Sequence, residues 1–162
     1  MAHVFRAVQQ AVIAAIQADD FSFPLPDLID YSWTQGIPNV STMSYAEWER
    51  LAFLGDATAS GCIANQLKHL MPEGTPHLYT VLRSGLQSNQ TFAHIFRKAC
   101  LLAVCSSEPV VVQPSLFKRG GDFFEAILGL MMTQKSLEFV KGWLEPMYAP
   151  LIRAAARAYL AF

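Results

Sequence analysis

Across almost the whole chain apolar residues return every three or four positions, a spacing that suits α-helices and leaves little room for a sheet. Val4 to Gln17 carries one such face and ends at DDFSFPLP. PDLIDYSW is expected as a short helix, with Pro26 near its start, where a missing N–H costs nothing. GIPNVSTMS, with Gly36 and Pro38, reads as a loop. A long helix is expected from Tyr45 to Leu70, stopped by Pro72 with Gly74 beyond, and PEGTPH as a turn. Further helices are expected over Leu78 to Leu86, Gln90 to Leu102, Gly121 to Thr133 and Ser136 to Leu160. The one strand-like run, VVVQ at Val110 to Gln113, is too short and isolated to support a sheet. With no repeat, low-complexity tract or linker, the expectation is a single all-α domain over residues 1–162.

Half of the residues are apolar and only 15% are charged, yet no run approaches the roughly 18 apolar residues of a membrane span. The longest, ACLLAVC and AILGLMM, have the length of core helices. Apolar excess without a span points to burial against another subunit, hence to an oligomer and no membrane partner. The net charge of −1, with no basic run beyond two residues, excludes a strong general nucleic-acid binder but leaves room for a local basic rim. Cys62, Cys100 and Cys105 fit no CxxC spacing and read as buried free thiols, which points to a reducing, intracellular compartment, the cytoplasm first and the mitochondrion as the alternative. The start, MAHVFRAVQQAVIAAIQ, has too little Arg and Ser for a presequence and reads as a first structural helix.

The informative residues are acids in apolar helices. In SYAEWERLAFLGDATASG, Glu49 and Asp56 are seven apart, two turns from each other on one face, with Ala52 between them. The helical neighbours of Asp56 are Ala52, Phe53, Ala59 and Ser60, none of them a cation. A partly buried carboxylate there is costly unless positive charge arrives, from a metal ion or from an Arg of another helix. In KRGGDFFEAILGLMM, Asp122 and Glu125 are three apart on one face. That spacing fits a second metal-binding pair, and equally a capping box with Asp122 as N-cap. Carboxylates without a His or Cys cluster favour Mg²⁺, or Mn²⁺ in its place, over zinc. GG before Asp122 could form an anion-binding nest or a flexible helix start. His3, His69, His77 and His94 show no ligand spacing, and Arg153 and Arg157 suit the end of a helix.

ERLAFLGDA, Glu49 to Ala57, resembles the ribonuclease III signature ERLEFLGD[AS] at eight of nine positions. FSFPLPDLIDYSW, LRSGLQSNQTFAHIFRKACL and KRGGDFFEAILGLMM resemble further segments of that family, in family order, over most of residues 5–143. The resemblance implies the all-α endonuclease domain, a homodimer, and hydrolysis of double-stranded RNA to 5′-phosphate and 3′-hydroxyl ends with a divalent metal. It matches Asp56, Asp122 and Glu125 to metal-binding and catalytic acids and Glu49 to a supporting acid. Phe53 matches an aromatic that enters the partner subunit. Lys118 matches a basic residue next to the cut site, and Asn89 an Asn near it, with a cap at Gln90 as the structural alternative for Asn89. Arg119, Arg97, Lys98 and Arg83 are further candidates for an RNA rim.

Ala52 stands where the signature has its second Glu, so one metal ligand is missing. Two readings follow. The first is a Mg²⁺-dependent endoribonuclease resembling the mini-type members, which also carry Ala there and lack a double-stranded-RNA-binding domain. The second is a catalytically inactive module that binds structured RNA or a ribosomal or other protein partner. No duplex-binding αβββα module is seen in residues 1–162, so weak, salt-sensitive RNA binding or a partner protein that supplies affinity is expected.

Overall fold

The computed structural model describes residues 2–29, 31–33, 44–104 and 116–162. These form six helices: α1 (Ala2–Gln17), α2 (Tyr45–Leu70), α3 (Pro76–Leu86), α4 (Asn89–Val104), α5 (Phe117–Gln134) and α6 (Leu137–Leu160). There is no strand among the described residues, and the all-α reading holds. VVVQ and Cys105 lie outside them.

Local chemistry sets the helix ends. Ser44 and Glu47 form a capping box for α2: Ser44 Oγ accepts the Glu47 N–H at 3.2 Å, and the Glu47 carboxylate accepts the Ser44 N–H at 2.9 Å. The Ser44 N–H, and after it the Ser44 hydroxyl, which also donates to that carboxylate at 2.9 Å, hold the Glu47 carboxyl below its ordinary pKa. α2 ends where the Met71 N–H reaches back to the Leu67 carbonyl and Pro72 follows. α3 opens on Pro76 behind a Thr75 cap, and α6 behind a Ser136 cap whose hydroxyl accepts the Phe139 N–H.

The short helix expected over PDLIDYSW is not there: none of its described residues is helical. Side chains hold this stretch and the chain just before it instead. Trp143 Nε1 donates to the Pro24 carbonyl at 2.6 Å, and Trp33 Nε1 to the Pro26 carbonyl at 2.8 Å. The Gln134 amide accepts the Ile29 N–H and donates to the Ile29 carbonyl, much as a neighbouring strand would. With these partners a helical ladder is not needed to satisfy the chain.

α5 is the central element. Its residues Ala126 to Met131 are all buried, with α2 packed on one side and α4 on another. α1 lies against α6, α3 and α4 and contributes Val8, Val12 and Ile16 to the common core. Phe92, Phe124, Tyr148 and Ile127 are fully buried there, each contributing about 1.5–3 kcal/mol by leaving water. No described helix is long and apolar enough to cross a membrane.

Candidate functional site

The site grows out of an unusually close crossing of two helices. α2 and α5 run antiparallel, and a Cβ built on Gly55 would collide with the backbone carbonyl of Glu125. One turn away the roles reverse, and a Cβ on Gly129 would collide with the carbonyl of Leu51. Two glycines, one on each helix, thus let the backbones touch. Asp56 follows Gly55 directly, so the crossing lays it beside Glu125.

The electrostatics follow from that placement. The Glu125 carboxyl is pushed up to about 7, first by burial, then by the negative charges of Asp56 and Asp122, with Lys118 pulling it back. Asp56 is exposed, not partly buried as its apolar helix suggests, because its stretch of α2 turns one side outward beyond α5. It forms no ion pair among the described residues. Asp122 does have a cation: Lys118 Nζ lies 3.0 Å from one of its oxygens and 3.2 Å from the other, one turn earlier in α5. That pairing raises the Lys118 pKa. Glu49 is exposed two turns before Asp56.

Asp122 is not an N-cap. α5 begins five residues earlier, at Phe117, and its cap position is Leu116, so the glycines form neither a nest nor a flexible start. They are contact points: a Cβ on Gly120 would press on Ala93 at 2.9 Å, and one on Gly121 would lie 3.1 Å from Asn89 Cα. Asn89 therefore sits against the turn of α5 that carries Asp122. It does not owe this place to a cap at Gln90. Ser88 caps α4, its hydroxyl accepting the Thr91 N–H at 3.1 Å.

An aromatic brace holds the same region. Phe123 packs edge-on to Trp48 of α2 with ring centres 5.9 Å apart, and against Phe96 of α4 at 5.5 Å. The Arg119 guanidinium lies 5.4 Å over the Phe123 ring. Lys118, Arg119, Asn89 and Arg83 are exposed, and Arg97 is half-buried. Lys98 is committed elsewhere, its amine donating to the Ala18 carbonyl at 2.8 Å beyond the end of α1. Phe53, one turn before Asp56, is 79% exposed, a large aromatic with little cover in the single chain.

Among the described residues no group of three or more His, Cys, Asp or Glu side chains is gathered closely enough to hold a metal alone. Chemically, the donor set still fits a hard divalent cation. Mg²⁺ is commonly held by one or two carboxylates and keeps several waters. Asp56 offers an uncommitted carboxylate, and Glu125 is a neighbour whose ionised form needs added positive charge. The Lys118–Asp122 pair and the Gly55–Glu125 crossing were not read from the sequence. GD in the signature and G at Gly129, facing each other across antiparallel helices, carry the second.

A protein named Ribonuclease 3 from Vibrio vulnificus is 31% identical over 109 residues, 65% of this chain and 48% of that protein. One named Ribonuclease 3 2 from Nostoc sp. is 30% identical over 131 residues, 77% of this chain and 51% of that protein. The chain spans about half the length of these curated relatives. No protein-family model matches the chain, and no solved structure does. On these sequence relationships and its all-helical fold, the chain is related to the ribonuclease III family.

Proposed function

We propose that residues 1–162 form one endonuclease domain that hydrolyses phosphodiester bonds of double-stranded RNA, leaving 5′-phosphate and 3′-hydroxyl ends. The observation that carries the reading is the glycine crossing that lays Asp56 beside Glu125 and drives the Glu125 carboxyl up to about 7. Two carboxylates forced together without a full complement of protein cations are poorly placed for stability. They are well placed to hold a divalent cation against phosphate. Names borne by the relatives, Ribonuclease 3, support the same activity.

In this reading Asp56 and Glu125 hold Mg²⁺, or Mn²⁺ as a substitute. Asp122 stands beside them with its charge balanced by Lys118. When bound, the metal supplies charge neutralisation and an activated water. Glu49 supports the site from two turns upstream on α2. Lys118, Arg119 and Asn89 orient the RNA backbone, recognising A-form shape and phosphates rather than sequence. Lys118 reaches phosphate by leaving Asp122, a modest step because the pair is exposed. The active unit is a homodimer in which a second copy covers Phe53, and a partner protein supplies RNA affinity that this modest basic set lacks. Ala52 leaves a ligand position to water or RNA.

The test is cleavage of a labelled long RNA duplex in Mg²⁺, with an EDTA control and the variants Asp56→Asn and Glu125→Gln. Metal-dependent cutting, lost by 10²-fold or more in both variants on the scale of a removed electrostatic stabiliser, is the expected result. An intact dimer that cuts nothing in Mg²⁺ or Mn²⁺ would instead point to a catalytically inactive module that binds structured RNA or a ribosomal partner.

A further inference from the structure

Asn89 reaches the site because the connection between α3 and α4 is only two residues long, Gln87 and Ser88. That connection is held by a directional chain of hydrogen bonds that starts on another helix. Gln9 Nε2, in α1, donates to Ser88 Oγ at 3.0 Å. Ser88 Oγ donates to Thr91 Oγ1 at 3.0 Å, and Thr91 Oγ1 donates to the Gly85 carbonyl at 2.7 Å. Ser88 Oγ also accepts the Thr91 N–H, so its acceptor capacity is used as well. The Ser88 hydroxyl has a second acceptor in the Gly85 carbonyl at 3.3 Å. The shorter bond to Thr91 lets every donor in the chain find its own acceptor. Thr91 is fully buried, which strengthens its bond to the Gly85 carbonyl and makes the loss of that bond costly.

This chain lies one residue from Asn89 and runs to none of the acids. Asn89 in turn lies against Gly121, next to Asp122. Resting on the endoribonuclease reading above, we infer that Gln9 is a positioning residue of the site, which acts through Asn89 by tethering the α3–α4 turn to α1. Ser88 and Thr91 cap α4 without Gln9, so the helix survives its loss. What the tether adds is the placement of the turn relative to α1, and with it the placement of Asn89 over α5. Gln9 is 40 residues before the signature and carries no charge, so nothing in its local sequence marks it.

The test uses Gln9→Met, which keeps the length of the side chain and removes the donor, alone and combined with Asn89→Ala. Duplex cleavage (kcat and KM), thermal melting and amide hydrogen exchange over residues 85–91 are measured. Gln9→Met is expected to speed exchange in the turn and to lower kcat about tenfold with KM little changed, the size of effect a displaced orienting group produces. In the Asn89→Ala background the same substitution should lower kcat no further, while its effect on melting is equal in both backgrounds. Equal losses of kcat in both backgrounds, or unchanged exchange over the turn, would overturn the inference and leave the endoribonuclease reading standing. A wild type that cuts no duplex sinks both.

Discussion

Gly55 and Glu125 meet backbone to backbone: the carbonyl oxygen of Glu125 occupies the space that a side chain on residue 55 would need. The acid and the glycine of the two facing helices are therefore one device. Gly55→Ala must push α5 away from α2, because a backbone carbonyl cannot swing aside as a flexible side chain can. The expected cost is about 3 kcal/mol, at the upper end for overpacking, read by urea denaturation. Gly129→Ala should cost about as much, against the Leu51 carbonyl. A loss below about 0.5 kcal/mol in both, within the range of a neutral surface change, would contradict the close crossing.

Glu125 makes stability fall as pH rises. Its folded-state pKa, about 7, stands above the ordinary glutamate value of 4.5, so the folded protein keeps a proton that the unfolded chain releases. The favourable contribution is complete below pH 4.5 and is lost as pH climbs through 7. Glu125→Gln, neutral and nearly isosteric, should therefore melt higher than wild type at pH 8. Allowing for screening of a half-exposed group, the gain is about 1 kcal/mol, and it vanishes near pH 4. Added Mg²⁺ should raise the wild-type melting temperature more at pH 8 than at pH 6, since cation and proton compete for the carboxylate.

Two lysines of similar exposure to sequence reading should separate cleanly by experiment. Lys98 bonds the Ala18 carbonyl, so Lys98→Met should lower the melting temperature by about 2–4 °C, equivalent to roughly 1 kcal/mol, and leave the salt dependence of RNA binding unchanged. Lys118→Met should do the reverse. Its loss should cost little stability and reduce the slope of log K against log salt by about 1. Fluorescence anisotropy of a labelled duplex across a salt series measures both.

Phe53 should govern association. An aromatic 79% exposed beside an acid site gains about 1.5–3 kcal/mol by burial against a second copy. Phe53→Glu should shift sedimentation from dimer to monomer with the helical circular dichroism intact. Wild type sedimenting as a monomer at micromolar concentration would remove the dimer from the proposal.

The long helix α2 from Tyr45 to Leu70, α3, α4 and α6 were legible within a few residues, because amphipathic spacing, prolines and Ser or Thr caps act over one or two turns. The start of α5 was not. D-x-x-E at Asp122 looks like a cap, but S-x-x-E at Ser44 is the pair that caps a helix here, while α5 already runs through the residues before Asp122. PDLIDYSW failed for a related reason: the partner of its Ile29 backbone groups is Gln134, more than a hundred residues away.

From the sequence alone came the all-α class, the candidate acids Asp56, Asp122 and Glu125, and the missing carboxylate at Ala52. The first two rest on residue identity and local periodicity, and the third on the resemblance to the family signature. Only the tertiary structure decided which acid is buried enough to hold its proton near neutral pH and which lysine is already in use. Desolvation depends on distances between helices, and at the acids the approach of α2 to α5 is set by the Gly55 and Gly129 contacts.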